Sequence, residues 1–111
     1  MKILHLNYYD VSGGASIAAY RIHESLIKES VNSSMYVSEK KINDRNIILS
    51  NRSFIDKINI RLQRKLNRIN SNKNINKVSK SYNLLPSFKI REINSLNADI
   101  INLHWIGNNF L

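Results

Sequence analysis

Lys2-Ile3-Leu4-His5-Leu6-Asn7, followed by Ser12-Gly13-Gly14-Ala15 and a helix-like run to Ser30, sets the architecture of this chain. An apolar run of strand length leads into a glycine pair that opens a helix. That order is the strand–turn–helix of a doubly wound α/β sheet, and such turns commonly receive phosphate. Glycine lets the backbone approach a ligand with no Cβ in the way. The first turn of the helix adds unpaired N–H groups and the positive end of its dipole. A tight turn with close helix packing would use the same two glycines, so both readings stand.

Outward from that stretch, residues 14–30 read as a helix in which Ala15, Ala18, Ala19, Ile22 and Leu26 form an apolar stripe. Residues 34–38 read as a second strand and Ile47-Ile48-Leu49 as a short third one. Over residues 53–70, Ile55, Ile58, Leu62, Leu66 and Ile69 form a stripe, with Lys57, Arg61, Arg64, Lys65 and Arg68 on other faces. This is a basic amphipathic helix. Ser71 to Ser81, rich in Asn, Ser and Lys, reads as an exposed loop. Pro86 precedes a helix over 88–96. Asp99 then introduces Ile100-Ile101-Asn102-Leu103-His104-Trp105-Ile106 as a buried strand, closed by a turn at Gly107-Asn108-Asn109.

Alternating strands and helices predict a parallel sheet with helices on both faces. Ligands of such sheets bind beyond the carboxyl ends of the strands, where strand order reverses. If the first and last strands are neighbours, Gly13, Gly14 and His104 converge on one crevice. His104 then reads either as a strand-end histidine or as a site residue. His5 and His23 read as structural, Trp105 as core or as a wall for a sugar face. Asn7 and Asp10 either touch a ligand or fix the turn.

A length of 111 residues predicts one domain. Without cysteine there is no disulfide, thiolate metal site or cysteine nucleophile. No apolar run approaches the roughly 20 residues that span a bilayer, and the start is too short for a secretory signal. A cytoplasmic protein is expected. Lys and Arg number 17 against 8 Asp and Glu, a net charge of +9 that points to a polyanionic partner. The first 30 residues are balanced, so the surplus belongs to the segment from Arg45 to Arg91. Its basic helix reads as an ordinary surface helix or as a peripheral contact with anionic lipid. No nucleic-acid motif is present and aromatics are not interleaved with the basic residues, so nucleic acid is not the expected partner. No carboxylate pair has a spacing that suggests a glycosidase.

Asn7-Tyr8-Tyr9-Asp10 with Gly13-Gly14-Ala15, then Ala18-Ala19-Tyr20-Arg21-Ile22-His23 and Leu26, resembles the opening of family 4 glycosyltransferases of GT-B fold. The branch it resembles builds capsular and colanic-acid-type bacterial surface polysaccharides. Ala98-Asp99-Ile100-Ile101-Asn102-Leu103-His104-Trp105-Ile106 with Phe110-Leu111 is similar to a second signature of the same N-terminal domain. The resemblance implies a retaining transferase that moves a sugar from a nucleotide-sugar donor to a glycan or lipid-linked acceptor. It implies an incomplete, Rossmann-like N-terminal domain over residues 1–111, with the donor-binding C-terminal domain absent and no activity of this part alone. Gly13 and Gly14 would reach the donor diphosphate, and His104 would border the transferred sugar as the catalytic-site residue. Asn7 and Asp10 would face the acceptor. Lys57, Arg61, Arg64, Lys65 and Arg68 would contact the inner face of the cell membrane. No metal or other cofactor is implied beyond the nucleotide sugar as substrate. The competing class is a non-catalytic basic module on anionic membrane or nucleic acid.

Overall fold

The computed structural model describes residues 1–51, 89–107 and 110, together with 58, 61, 62, 64, 65 and 68. Its elements are β1 (Lys2–Tyr9), α1 (Gly14–Lys28), β2 (Asn32–Glu39), β3 (Ile47–Leu49), α2 (Lys89–Ser95) and β4 (Ile100–Leu103). The four strands are parallel and lie in the order β3-β2-β1-β4. The chain therefore builds outward from β1 on one side, then returns to place β4 on the other. That reversal is the switch point of a doubly wound sheet, and it lies between β1 and β4.

Side-chain alternation along the strands sorts the core into two layers. Met35, Val37 and Ile47 face α1 and pack with Ala19. Leu4, Leu6 and Tyr36 face the opposite way and pack with Ile93 of α2 and with Phe110. Burial of each large apolar side chain contributes about 2 kcal/mol. Directed contacts then fix the elements in place. Tyr36 donates its hydroxyl to Glu92 on α2 at 2.6 Å. At the start of the sheet, the Lys2 N–H donates to the Asp99 carboxylate at 2.6 Å, and Asp99 N–H donates back to Lys2 O at 2.9 Å. This reciprocal clamp sets the β1–β4 register. At the far end of α1, Ser30 adopts φ 60° and turns the chain toward β2.

Three expectations from sequence are corrected. The buried face of α1 is Ser16, Ala19 and His23, whereas Ala15, Ala18 and Ile22 are exposed. The helix is rotated by about one residue from the stripe its aliphatic residues suggest. The last strand ends at Leu103, and Ile100, Ile101 and Leu103 are exposed because β4 lies at the end of the described sheet with β1 as its neighbour. Trp105 is 40 % exposed and is not part of the core.

In the basic segment, Ile58, Arg61, Leu62, Arg64, Lys65 and Arg68 are helical and exposed. Ile58 and Leu62 are 48 % and 47 % exposed, so neither is buried against the sheet. Lys57, Ile55, Leu66, Ile69 and the loop expected over 71–81 lie outside the described residues. Among the described residues no helix is long and apolar enough to cross a membrane.

Candidate functional site at the carboxyl end of the sheet

β1 and β4 are neighbours, as convergence on one crevice requires. Backbone pairing continues past the end of β4: His104 N–H donates to Leu6 O, and Tyr8 N–H donates to Trp105 O, each at 3.0 Å. The carboxyl ends of both strands thus reach the same rim as the glycine turn. There a cleft of about 230 Å³ is lined by Tyr9, Ser12, Gly13, Gly14, Ala15, Ser16 and Trp105.

Local backbone chemistry opens that cleft to an anion. Gly13 sits at φ 89°, ψ 163°, a region essentially reserved for glycine, and it caps α1 without any side-chain hydrogen bond. The first-turn ladder begins with Ile17 N–H donating to Gly13 O at 3.0 Å. The amides of residues 14–16 precede that bond and, among the described residues, have no acceptor at the positive end of the helix dipole. No acidic side chain lies in the first turn to occupy them. A Cβ at Gly13 or at Gly14 would meet nothing within 4 Å. Packing therefore explains neither glycine; backbone conformation explains Gly13, and Gly14 faces open space.

Opposite the helix end stands an aromatic wall. Tyr9 and Trp105 lie nearly parallel, 7° apart, with ring centroids separated by 6.1 Å. Tyr8 meets the Trp105 ring edge-on at 5.6 Å. Such surfaces receive the flat face of a base or the apolar face of a sugar.

Asn7 and Asp10 hold this rim from beneath. Asn7 is fully buried; its amide donates to Tyr9 O at 2.8 Å and its carbonyl accepts from Trp105 N–H at 3.0 Å. One side chain thus fixes the backbones of both aromatic residues. Asp10 is also fully buried, accepting from Val11 N–H at 2.7 Å and from the N–H groups of Lys41 and Ile42. Burial alone would raise its pKa, but the bonds from Ile42, Lys41 and Val11 prevail and hold the carboxyl below its usual range. Both side chains are fully buried and engaged in these backbone bonds. Of the two roles expected for them, these bonds are those of residues that fix the turn.

His104 lies half-buried just beneath the rim, bonded through Nε2 to His5 Nδ1 at 2.9 Å, and it does not line the cleft itself. Burial lowers its pKa. His5 and His23 are fully buried, the places expected for structural histidines. Among the described residues no group of three His, Cys, Asp or Glu side chains is placed to hold a metal ion. Sequence reasoning gave Tyr9 no role. Its signal was an aromatic residue directly after a strand and before the glycine turn.

Gly13→Ala and Gly14→Ala separate the turn from the cleft. The first is expected to cost about 1–3 kcal/mol of stability, through backbone conformation alone. The second leaves stability within about 0.5 kcal/mol, because a methyl group at the start of a helix is tolerated. Urea denaturation checks both, and equal losses would contradict the assignment of strain to Gly13. No protein-family model, curated protein or solved structure matches the chain.

Proposed function

We propose that these residues form the acceptor-side, N-terminal part of a retaining GT-B glycosyltransferase for bacterial surface polysaccharide, with the cleft receiving the donor diphosphate. The observation that carries this reading is the cleft itself, where open amides at residues 14–16 face Tyr9 and Trp105 at the β1–β4 switch point. A diphosphate matches the helix terminus in charge and hydrogen-bonding. An aromatic wall matches the base or sugar attached to it. The resemblance of Gly13-Gly14 and Leu103-His104-Trp105 to the family's two signatures supports the same assignment. Sugar transfer needs a closed two-domain cleft that positions both substrates and excludes water, so these residues alone are not expected to catalyse it.

Trp105 is the single tryptophan and lines the cleft, so its fluorescence reports binding. Titration with UDP is expected to give a saturable change, and inorganic pyrophosphate a weaker one through the phosphate contacts alone. Gly14→Ala should weaken binding about tenfold, equivalent to about 1.4 kcal/mol, by filling the space in front of the amides. An unchanged signal with both ligands would overturn the reading.

The exposed basic segment supports a peripheral membrane contact within the same proposal. Arg61, Arg64, Lys65 and Arg68 are helical and exposed, as are Ile58 and Leu62. Vesicles containing phosphatidylglycerol should bind the chain, with binding falling as salt screens the charges. Arg61→Glu with Lys65→Glu should abolish it. Equal binding to neutral vesicles would contradict the electrostatic account, and salt-sensitive binding to DNA alone would favour the nucleic-acid module.

A further inference from the structure

All three histidines of the chain meet in the layer beneath α1. His5 Nδ1 lies 2.9 Å from His104 Nε2, while the ring centroids are 5.2 Å apart and the planes differ by 21°. A nitrogen contact so much shorter than the centroid separation places the rings edge to edge. The geometry is that of a directed hydrogen bond, not of stacked faces. His23 stands across from His5 at 6.0 Å and 71°, with its own Nδ1 on Ser33 Oγ at 2.7 Å. One nitrogen of His104 is therefore occupied. The other, Nδ1, has no partner among the described residues.

The buried end of His5 decides which ring supplies the proton. His5 Nε2 is buried and meets no partner among the described residues. If His104 donated, neutral His5 would carry its proton on Nε2, as a buried N–H without an acceptor. If His5 donates from Nδ1, Nε2 keeps only a bare lone pair, which is the smaller penalty. His104 then accepts at Nε2 and holds its own proton on Nδ1.

We propose that His5 is a positioning residue that fixes the ring plane and tautomer of His104, so that His104 holds Nδ1–H ready for a phosphate or hydroxyl oxygen of a ligand that reaches below the cleft lining. The ligand-facing step rests on the diphosphate reading of the cleft; the tautomer does not. Burial, followed by the charges on His104 and His23, lowers the His5 pKa to about 4, so the donor ring is neutral at neutral pH. The other ionisable groups acting in this layer are Asp44 and Glu24, both through His23. Sequence reasoning placed His5 as structural; its role emerges only when β4 is paired beside β1.

Long-range 1H–15N spectra of the 111-residue chain at neutral pH read the tautomer without any activity. Wild type is expected to show His104 protonated at Nδ1. In His5→Ala, His104 should populate both tautomers and titrate at higher pH. His5→Asn, whose amide reaches the position of Nδ1, should restore the single tautomer, and it serves as the test variant if His5→Ala does not fold. Adding pyrophosphate should shift His104 Nδ1–H if a phosphate oxygen is its partner, whereas a shift seen with UDP-glucose alone identifies a hydroxyl. Wild-type His104 protonated at Nε2, or averaged between both forms, overturns the proposal. So does a ligand that moves the amides of residues 14–16 but leaves His104 unchanged. Ligands that move neither, with the tautomer as stated, defeat the diphosphate reading and leave the positioning by His5 intact.

Discussion

Asp10→Ala should lower the stability of the chain by about 3 kcal/mol or more, because it removes a buried carboxylate that accepts three backbone N–H groups. Two of those groups, on Lys41 and Ile42, belong to the segment after β2, so the carboxylate ties the end of β1 to the chain thirty residues on. Removing the side chain leaves all three N–H groups without the carboxylate that accepts them. Asp10→Asn should be nearly as damaging. It turns one accepting oxygen into an NH2 group that confronts donors. Against a typical total of about 5–15 kcal/mol, the loss is large. Urea unfolding of the two variants checks it, and a shift below about 1 kcal/mol would show that Asp10 is dispensable. The consequence for the cleft is direct. Tyr9 and Gly13 flank this anchor, so weakening it loosens both the aromatic wall and the helix end.

Acidification from pH 7.5 to 5 should destabilise the chain before its carboxylates titrate. His5 is displaced from an ordinary value of 6.5 to about 4, chiefly by burial, and burial also lowers His23 and His104. Between these limits the unfolded chain binds more protons than the folded one. Falling pH therefore draws the equilibrium toward the unfolded state. For His5 alone the stability is fully present above about pH 6.5 and is lost progressively toward pH 4, amounting to about 2 kcal/mol at pH 5. Asp10 opposes nothing in this window, since its lowered pKa acts only at more acid values. Urea midpoints at pH 7.5, 6 and 5 measure the slope, and His5→Asn should flatten it. A midpoint independent of pH over that range would refute the neutral, buried state of His5.

Much of the scaffold was legible in the chain because local pattern and tertiary position agree there. The run from Lys2 and the glycine pair predict β1 and α1, and both form, with β1 extended to Tyr9. The short Ile47–Leu49 strand forms as read. The misreadings share a physical origin. The face of α1 was misjudged because its inner layer is built from Ser16, Ala19 and His23, and a scale of apolarity ranks Ile22 above histidine. β4 looked buried because of its isoleucines, but exposure depends on which strand flanks it, and no local signal carries that. Asn7 and Asp10 show the same limit. A polar residue after a strand suits a ligand or a turn equally well, and the partners that decide, Trp105 and Ile42, lie far along the chain. His104 follows β4 beside β1, as its place in the sequence suggests, yet the His5 ring that occupies its Nε2 is invisible without strand order.

The proposed function stands on a diphosphate seated on the first turn of α1. Amide-resolved NMR of the 15N-labelled chain during UDP addition locates it. Gly14, Ala15 and Ser16 backbone signals and the Trp105 indole should shift together along one saturation curve. Shifts confined to Arg61–Arg68, with the helix end unmoved, would mean that the charge of the chain, and not its cleft, takes the ligand.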